Sequence, residues 1–229
     1  RVHEMLELAP TDLDVAISAL TEFYLYFEAQ IAERRTTPGD DLISFLISAE
    51  LDGRPLTDNE VFGGCLLLLI AGIDTTWSAI GSTIWHLAQH PEEQRQLRDD
   101  PALWSNALEE FLRAYAPVTM AREVVEDVTL GGCPMHQGDP VLLPFPAANR
   151  DPEAFDDPDA IRLDRQPNRH LAFGVGIHRC LGSHLARLEV RIAGERLLAR
   201  VPEFRLADPA TVTWSVGQVR GPRRLQLLA

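Results

Sequence analysis

The sequence predicts a mainly α-helical fold of the α+β class, in which small β-sheets accompany the helices. Three observations support this prediction. Apolar residues recur at helical spacing through much of the first half of the chain, one helix is unusually long, and short strand-like segments follow only after Pro117. With 229 residues, 45% of them hydrophobic, the chain can bury a sizeable core, and we expect one domain over residues 1–229.

Two helices are predicted before the long one. Apolar residues repeat at helical spacing over residues 13–32 and 41–49, and the breaker Thr37-Pro38-Gly39 separates the two segments. Both are expected to be packing helices.

The long helix is predicted to start at a capping box. Thr57 and Glu60 can each bond the backbone amide of the other, and an apolar run follows at once. No breaker interrupts the pattern before His90-Pro91, so the helix should extend over about 30 residues, or about 45 Å. It is apolar nearly all round through Ile73, which predicts a central position.

Two further helices are predicted over residues 91–98 and about 102–116, the second ended by Pro117. Residues 128–130 and 141–143 are then predicted to pair as a β-hairpin around a loose Gly-rich loop.

The last part of the chain begins with a long irregular stretch over residues 149–170. A Gly-rich loop, a helix over about residues 181–200 and short strands are predicted to complete the fold.

The charge and cysteine content exclude several classes of function. A net charge of −13 disfavours nucleic acid as a partner, although residues 161–229 carry 12 Arg against 5 acidic residues. Three widely spaced cysteines argue against a disulfide framework or a zinc site, and we expect Cys65 and Cys133 to be buried apolar residues. The apolar run over residues 61–73 is too short to span a bilayer before Asp74, so a soluble, cytoplasmic protein is expected.

The strongest motif is the loop Phe173-Gly-Val-Gly-Ile-His-Arg-Cys180-Leu-Gly, in which a cysteine follows loop glycines at the start of a helix. The helix N-terminus and the neighbouring Arg179 both favour an anionic thiolate. Without Cβ atoms, the glycines let the backbone approach a flat macrocycle and point amides at the sulfur. An alternative is a nucleophilic Cys180 with His178 as base, but residues two apart in a loop usually face different ways.

The second motif lies inside the long helix, in residues 71–76. Gly72 costs about 1 kcal/mol relative to alanine there, and a threonine can divert a backbone carbonyl by bonding to it, so a local groove is expected. In such a groove Thr75 and Asp74 would deliver protons to oxygen chemistry. The alternative is a threonine satisfied within the core.

A third, weaker motif is Glu110-Phe-Leu-Arg113, an acid and a base on one helix face. Together the three motifs resemble the cytochrome P-450 family in order and approximate spacing. The resemblance covers nearly the whole chain but only the C-terminal part of the longer family domain. We therefore expect a cytochrome P-450-like helical domain whose N-terminal part is missing, as the start at Arg1 within a helical segment also indicates.

The resemblance implies roles for individual residues. Cys180 would ligate the iron of haem b, while His178 and Arg122 would contact the haem propionates. Glu110 and Arg113 would form a buried structural pair. The other implied cofactor-binding positions are Phe173, Gly174, Gly176, Gly182 and Ala71.

The structural pair is normally completed by a later arginine, and the matching position in this sequence is Ala160. The network is incomplete unless Arg162 or Arg165 takes that role, and a buried pair that lacks a partner is costly.

The implied substrate-facing residues are mainly apolar, which suits a hydrophobic substrate, although simple core packing is the alternative. They are Leu67, Ile70, Val118, Thr119 and Val216.

The resemblance implies a haem-thiolate monooxygenase that inserts one oxygen atom of O₂ into a small hydrophobic substrate. Residues 116–123 and 214–224 are similar to a bacterial subgroup sometimes fused to a flavin and iron–sulfur reductase. Electrons would come from such a reductase or from a ferredoxin. A peroxide-driven, dehydratase or isomerase-type haem-thiolate enzyme, and a fragment without autonomous activity, are the alternatives.

A basic region of the last helix and the loop before it is a candidate docking surface for an acidic electron donor, and its alternative is a set of solvated helix charges. The region comprises Arg179, Arg187, Arg191 and Arg196.

Overall fold

The computed structural model describes residue 2, residues 12–215 and residues 217–229. The chain divides into two compact units, Arg1–Asp74 and Thr75–Ala229. The fold is helical with small antiparallel sheets, as predicted.

The first unit contains α1 (Leu13–Thr36), α2 (Leu42–Ser48) and a hairpin of β1 (Glu50–Leu51) and β2 (Arg54–Pro55). Aspartates cap both helices: Asp12 accepts from the amides of residues 14 and 15, and Asp41 accepts from that of Ser44 at 2.8 Å. The two predicted helices are confirmed to within a few residues.

The long helix α3 (Asp58–Leu87) starts at the predicted capping box. The Thr57 amide donates to Glu60 Oε2 at 2.8 Å, and the Glu60 amide donates to Thr57 Oγ1 at 3.4 Å. In the first unit α3 packs Val61 and Cys65 against Phe27 and Ile31 of α1. The capping box and the 30-residue length are therefore confirmed.

By length and apolar composition the whole helix α3 could cross a membrane, although the apolar run at residues 61–73 is too short by itself. Its second half, however, buries polar side chains within the protein, as the core helix of a globular protein does. These side chains are Ser78, Ser82, Thr83 and His86.

The second unit continues α3 and adds α4 (Pro91–Asp99), α5 (Trp104–Ala114), α6 (Phe145–Ala148) and α7 (Ser183–Arg200). Helix α5 belongs to two apolar clusters.

One face of α5 packs Trp104 and Phe111 with Leu87, Leu97 and Leu198. Its other face packs the two leucines at positions 108 and 112 with Ala79 of α3 and Val190 of α7. These contacts fix α5 against α3 and α7 and bury nearly every residue of its second half.

One buried side-chain amide joins α4 to the segment that follows α7. Gln94 Nε2 donates to the carbonyls of Leu87 and Phe204 at 2.6 and 2.8 Å, and Gln94 Oε1 accepts from the Phe204 amide at 3.1 Å. The side chain thus satisfies three backbone groups that would otherwise be buried without partners.

The remaining strands of the second unit form two-stranded antiparallel sheets. The pairs are β3 (Met120–Glu123) with β6 (Pro140–Leu143), β4 (Val128–Leu130) with β5 (Cys133–Met135), β7 (Arg205–Leu206) with β10 (Leu227–Leu228), and β8 (Thr213–Trp214) with β9 (Pro222–Arg224).

The predicted pairing of residues 128–130 with 141–143 is wrong. Gly131 and Gly132 have φ values of +57° and +82°, and positive φ at two successive residues makes a tight hairpin turn. Strand β4 therefore turns back at once onto β5 and leaves β6 to pair with β3.

Candidate functional site

The Cys180 loop joins an irregular segment to the start of α7. The Cys180 amide donates to the Phe173 carbonyl at 2.9 Å, which closes the loop at its base. Within it, the Arg179 amide donates to the Gly176 carbonyl at 3.1 Å. The predicted residues Phe173, Gly174, Gly176 and Cys180 thus lie in one hydrogen-bonded turn, and Gly182 follows it as the N-cap of α7.

Two glycines are required by this backbone. Gly174 and Gly176 have φ values of +66° and +73°, a region that side chains with a Cβ rarely adopt. No described atom lies within 4 Å of the place a Cβ would occupy at Gly176. The loop is therefore open above this position.

The surface around the thiol is apolar and open. Cys180 itself is exposed, and Ile177 and Leu181 on either side are 97% and 87% exposed. Three further exposed apolar residues follow the same segment into α7: Val175, Leu185 and Leu188. Contiguous exposed apolar surface of this kind marks a binding site, and a flat, largely apolar macrocycle with an iron that takes a thiolate fits it.

The other cysteines differ from each other. Cys65 is buried in the apolar cluster of the first unit, where burial raises the pKa of its thiol. Cys133 is exposed on β5, so the expectation that it would be buried is wrong. The tight turn after β4 places it on the outside of a two-stranded hairpin.

The predicted propionate contacts are both exposed. His178 ends a short 3-10 turn in the loop, and Arg122 lies on β3, where its Nη1 donates to the Ala121 carbonyl at 2.8 Å. Neither side chain is held in the interior, so both remain available to an anionic ligand.

On α3, the residues predicted to deliver protons, Asp74 and Thr75, stand where the two units meet in sequence. Asp74 is fully buried, Thr75 is half-buried, and Ala71 one turn earlier is exposed. A buried carboxylate within an apolar helix is costly, which sets this segment apart from the rest of α3.

The predicted substrate residues lie in three segments. Leu67 is 66% exposed and Ile70 half-buried on α3. Val118 and Thr119 are half-buried and joined to the chain at residues 218–219 by a backbone bridge. The fifth position, Val216, lies outside the described residues.

The acid–base pair on α5 is completely buried and has a second arginine. Glu110 accepts from Arg113 at 2.8 and 2.9 Å, and Arg165 Nε lies 2.9 and 3.0 Å from its two oxygens. Burial would raise the pKa of Glu110, but these hydrogen bonds hold it below its usual value. Arg165 therefore stands in the role that Ala160 cannot fill.

The backbone of the irregular segment completes this network. Ala160 contributes its carbonyl, which accepts from Arg113 and Arg165 at 2.9 Å each. Arg162 contributes its backbone amide, at 2.9 Å from Glu110 Oε1, while its side chain is exposed. Arg165 alone of the two candidate arginines brings its guanidinium to Glu110.

Sequence reasoning missed a second, half-buried cluster that also involves α5. Glu109 on α5 accepts from Arg187 at 2.6 and 2.8 Å and from His170 at 2.9 Å. Glu109 and His170 stand in no motif of the sequence, so only their spatial meeting identifies them.

Two arginines of the predicted docking surface form ion pairs within the chain. Arg187 is engaged with Glu109, and Arg191 donates to Glu195 at 2.7 Å. Charges paired within the chain attract a distant acidic partner less than unpaired ones do.

Comparison with known proteins agrees with this geometry. The family model for cytochrome P-450 matches residues 9–101 and 102–213. The chain is 40% identical over 215 residues to the polyketide biosynthesis cytochrome P-450 PksS of Bacillus subtilis, covering 93% of this chain and 53% of that protein. It is 42% identical over 216 residues to mycinamicin IV hydroxylase/epoxidase of Micromonospora griseorubida, covering 92% and 54%.

The solved structure of Bacillus subtilis PksS superposes with a TM-score of 0.93 at 39% identity, covering 99% of this chain and 59% of that one. The chain thus spans about half the length of the curated relatives it matches. Sequence and structural likeness both extend over nearly all of the chain, and the chain belongs to the cytochrome P-450 family.

Proposed function

We propose that this chain is the haem-binding part of a monooxygenase that inserts one oxygen atom of O₂ into a small hydrophobic organic substrate. The observation that carries the proposal is the exposed thiol of Cys180 in an open, apolar turn closed by its own backbone hydrogen bond. One relative, from Micromonospora griseorubida, is a hydroxylase/epoxidase, which supports the same type of reaction.

Cys180 would hold the iron of haem b, and His178 and Arg122 would pair with its propionates. Haem, when bound, supplies the activation of O₂. The exposed apolar residues around the thiol would exclude water from the face that they cover.

The α3 residues would serve the proton supply. The Thr75 hydroxyl can both accept and donate a hydrogen bond, so it can pass a proton toward the reaction site. The Asp74 carboxylate would take up a proton from solvent and pass it to that hydroxyl. The apolar character of Leu67, Ile70 and Val118 would suit contact with a hydrophobic substrate.

Electrons would come from a ferredoxin or from a flavin and iron–sulfur reductase, in a cytoplasmic setting. This part of the proposal rests on the family and on the basic character of residues 161–229.

The test is the carbon monoxide difference spectrum of the reduced chain, expressed with haem supplied. Thiolate ligation should give a strongly red-shifted Soret band, which Cys180→Ser should abolish. Cys133→Ser is the matched control, because Cys133 is also exposed but lies on β5, outside the Cys180 loop, and this variant should keep the band.

A red-shifted band that survives Cys180→Ser would reject Cys180 as the iron ligand. Absence of haem uptake by the unaltered chain would favour the alternative of a fragment without autonomous activity.

A further inference from the structure

The cluster of Glu109, His170 and Arg187 links three separate parts of the second unit. Glu109 lies on α5, His170 precedes the Cys180 loop, and Arg187 lies one turn into α7. Arg187 donates through Nε and Nη2 to the two carboxylate oxygens, a bidentate geometry at 2.6 and 2.8 Å. Burial alone would raise the pKa of Glu109, but the bonds from Arg187 and His170 lower it from 4.5 to about 2. The carboxylate is therefore ionised at neutral pH.

The orientation of His170 is fixed by a backbone amide. The Ala172 amide donates to His170 Nδ1 at 3.1 Å, so Nδ1 must carry a lone pair and Nε2 the proton. That Nε2–H then donates to Glu109 at 2.9 Å. The imidazole is almost completely buried and ties the chain at residues 170–172 to α5.

Arg187 contacts both ends of the Cys180 loop. Its guanidinium carbon lies 4.5 Å from the centroid of the Phe173 ring, at the entry to the loop. Its Nη1 donates to the Ser183 carbonyl at 3.3 Å, at the exit from the loop. The Phe173 carbonyl in turn accepts from the Cys180 amide at 2.9 Å. A single guanidinium, held by Glu109, thus spans the loop that carries the thiol.

We propose that Glu109, His170 and Arg187 are positioning residues for Cys180, which hold the two ends of its loop at the separation that presents the thiol to haem iron. The inference rests on the proposed function for the role of Cys180 but concerns residues that the proposed function does not use. Removal of side chains that orient a metal ligand without touching the metal commonly lowers metal affinity by about 10- to 100-fold.

An exposed ion pair on the same helix supplies the contrast. Arg191 donates to Glu195 four residues later, so this pair lies within α7, and among the described residues it has no bond to the loop. Exposed pairs of this kind contribute little. Arg191→Gln and Glu195→Gln are therefore the matched controls for Arg187→Gln and Glu109→Gln.

The first experiment needs no haem. Backbone hydrogen exchange of the full chain is followed by mass spectrometry, with peptides covering residues 170–183. Arg187→Gln and Glu109→Gln should each accelerate exchange in these peptides by about tenfold. The reason is that the loop can then open without breaking the bonds between Arg187 and Glu109, which we call the clamp. The double variant should accelerate exchange no further, since both changes remove the same ion pair. The two control variants should leave these peptides unchanged.

The second experiment loads the same variants with haem and measures the haem dissociation constant and the share of the reduced carbon monoxide complex in the red-shifted thiolate band. Arg187→Gln should weaken haem binding by about tenfold and reduce the thiolate share. Arg187→Lys keeps the charge without the planar fork and should restore the thiolate share only in part.

The outcomes separate the two proposals. If exchange at residues 170–183 is unchanged, or rises equally in all peptides, the clamp is rejected even where the thiolate band depends on Cys180. If the band survives Cys180→Ser, the proposed function fails, while a local exchange effect would still establish the clamp on the loop. If haem is not taken up, the exchange experiment decides alone.

Discussion

Removal of the Arg165 guanidinium should severely destabilise the second unit. Arg165 lies beside the fully buried Glu110 and donates to it at 2.9 and 3.0 Å. It also donates to the carbonyls of residues 156, 157 and 160. Arg165→Met keeps much of the side-chain volume while it removes all five hydrogen bonds.

Removing one partner of a buried ion pair typically costs about 3–5 kcal/mol, because the other charge stays buried without it. Arg113 still bonds Glu110 after the change, so we expect the lower end, about 3 kcal/mol. The free energy of unfolding typically falls by about 2 kcal/mol per molar urea, so the urea concentration at the unfolding midpoint should fall by about 1.5 M. Such a loss is a large share of the about 5–15 kcal/mol by which proteins are stable.

Urea unfolding followed by tryptophan fluorescence measures the stability of the second unit, because all four tryptophans lie within it. Arg162→Met is the matched control: its side chain is exposed, and only its backbone amide, which the substitution retains, reaches Glu110. The control should change stability by less than about 0.5 kcal/mol. Equal costs for the two variants would refute the assignment of Arg165 as the buried partner.

Three further predictions concern other parts of the chain. Thr75→Ala should preserve haem binding but divert electrons to hydrogen peroxide in the loaded protein, and an unchanged ratio of product to electrons consumed would remove Thr75 from the proton supply. Gly194→Ala should cost about 2 kcal/mol, since a new Cβ would lie 2.1 Å from the buried Trp104 ring; overpacking of about 1–3 kcal/mol exceeds the gain of up to about 1 in helix propensity. Its control, Gly63→Ala, meets no described atom within 4 Å and should be neutral or stabilising in urea titrations. Glu109 has a folded pKa of about 2 against an ordinary 4.5, so its ionised form stabilises the fold above about pH 4.5, and about 3 kcal/mol is lost as pH falls toward 2. Glu109→Gln should therefore flatten the decline in stability between about pH 5 and pH 3, and parallel pH profiles for both proteins would contradict this.

Local patterns in the sequence predicted the helices well. Thr57 and Glu60 mark the start of α3 because a capping box is complete within four residues. The strand pairing failed for the opposite reason. Whether residues 128–130 pair with 133–135 or with 141–143 depends on the turn geometry at Gly131 and Gly132, and short strands carry too little hydrophobic pattern to decide it.

The residues of the candidate site also differ in how far the sequence alone predicts them. The loop around Cys180 is contiguous in sequence, so its residue types alone predict a thiolate turn. Arg165 could be predicted only as one of two candidates, because the burial of its guanidinium depends on how the irregular segment folds back onto α5. His170 and Arg187 are 61 and 78 residues from Glu109, and no local spacing relates them. Long-range ion pairs of this kind become visible only in three dimensions.

The buried amide of Gln94 makes this part of the fold depend on the chemistry of a single side chain. Its nitrogen stands between two carbonyl oxygens, at 2.6 and 2.8 Å. Hydrolysis of the side chain to a carboxylate would replace that donor by an acceptor and set three oxygens against one another in a dry interior. The shape of the residue would hardly change, yet the carbonyls of Leu87 and Phe204 would lose their donor, and only the bond from the Phe204 amide would remain. The fold therefore requires an amide, and not a carboxylate, at position 94.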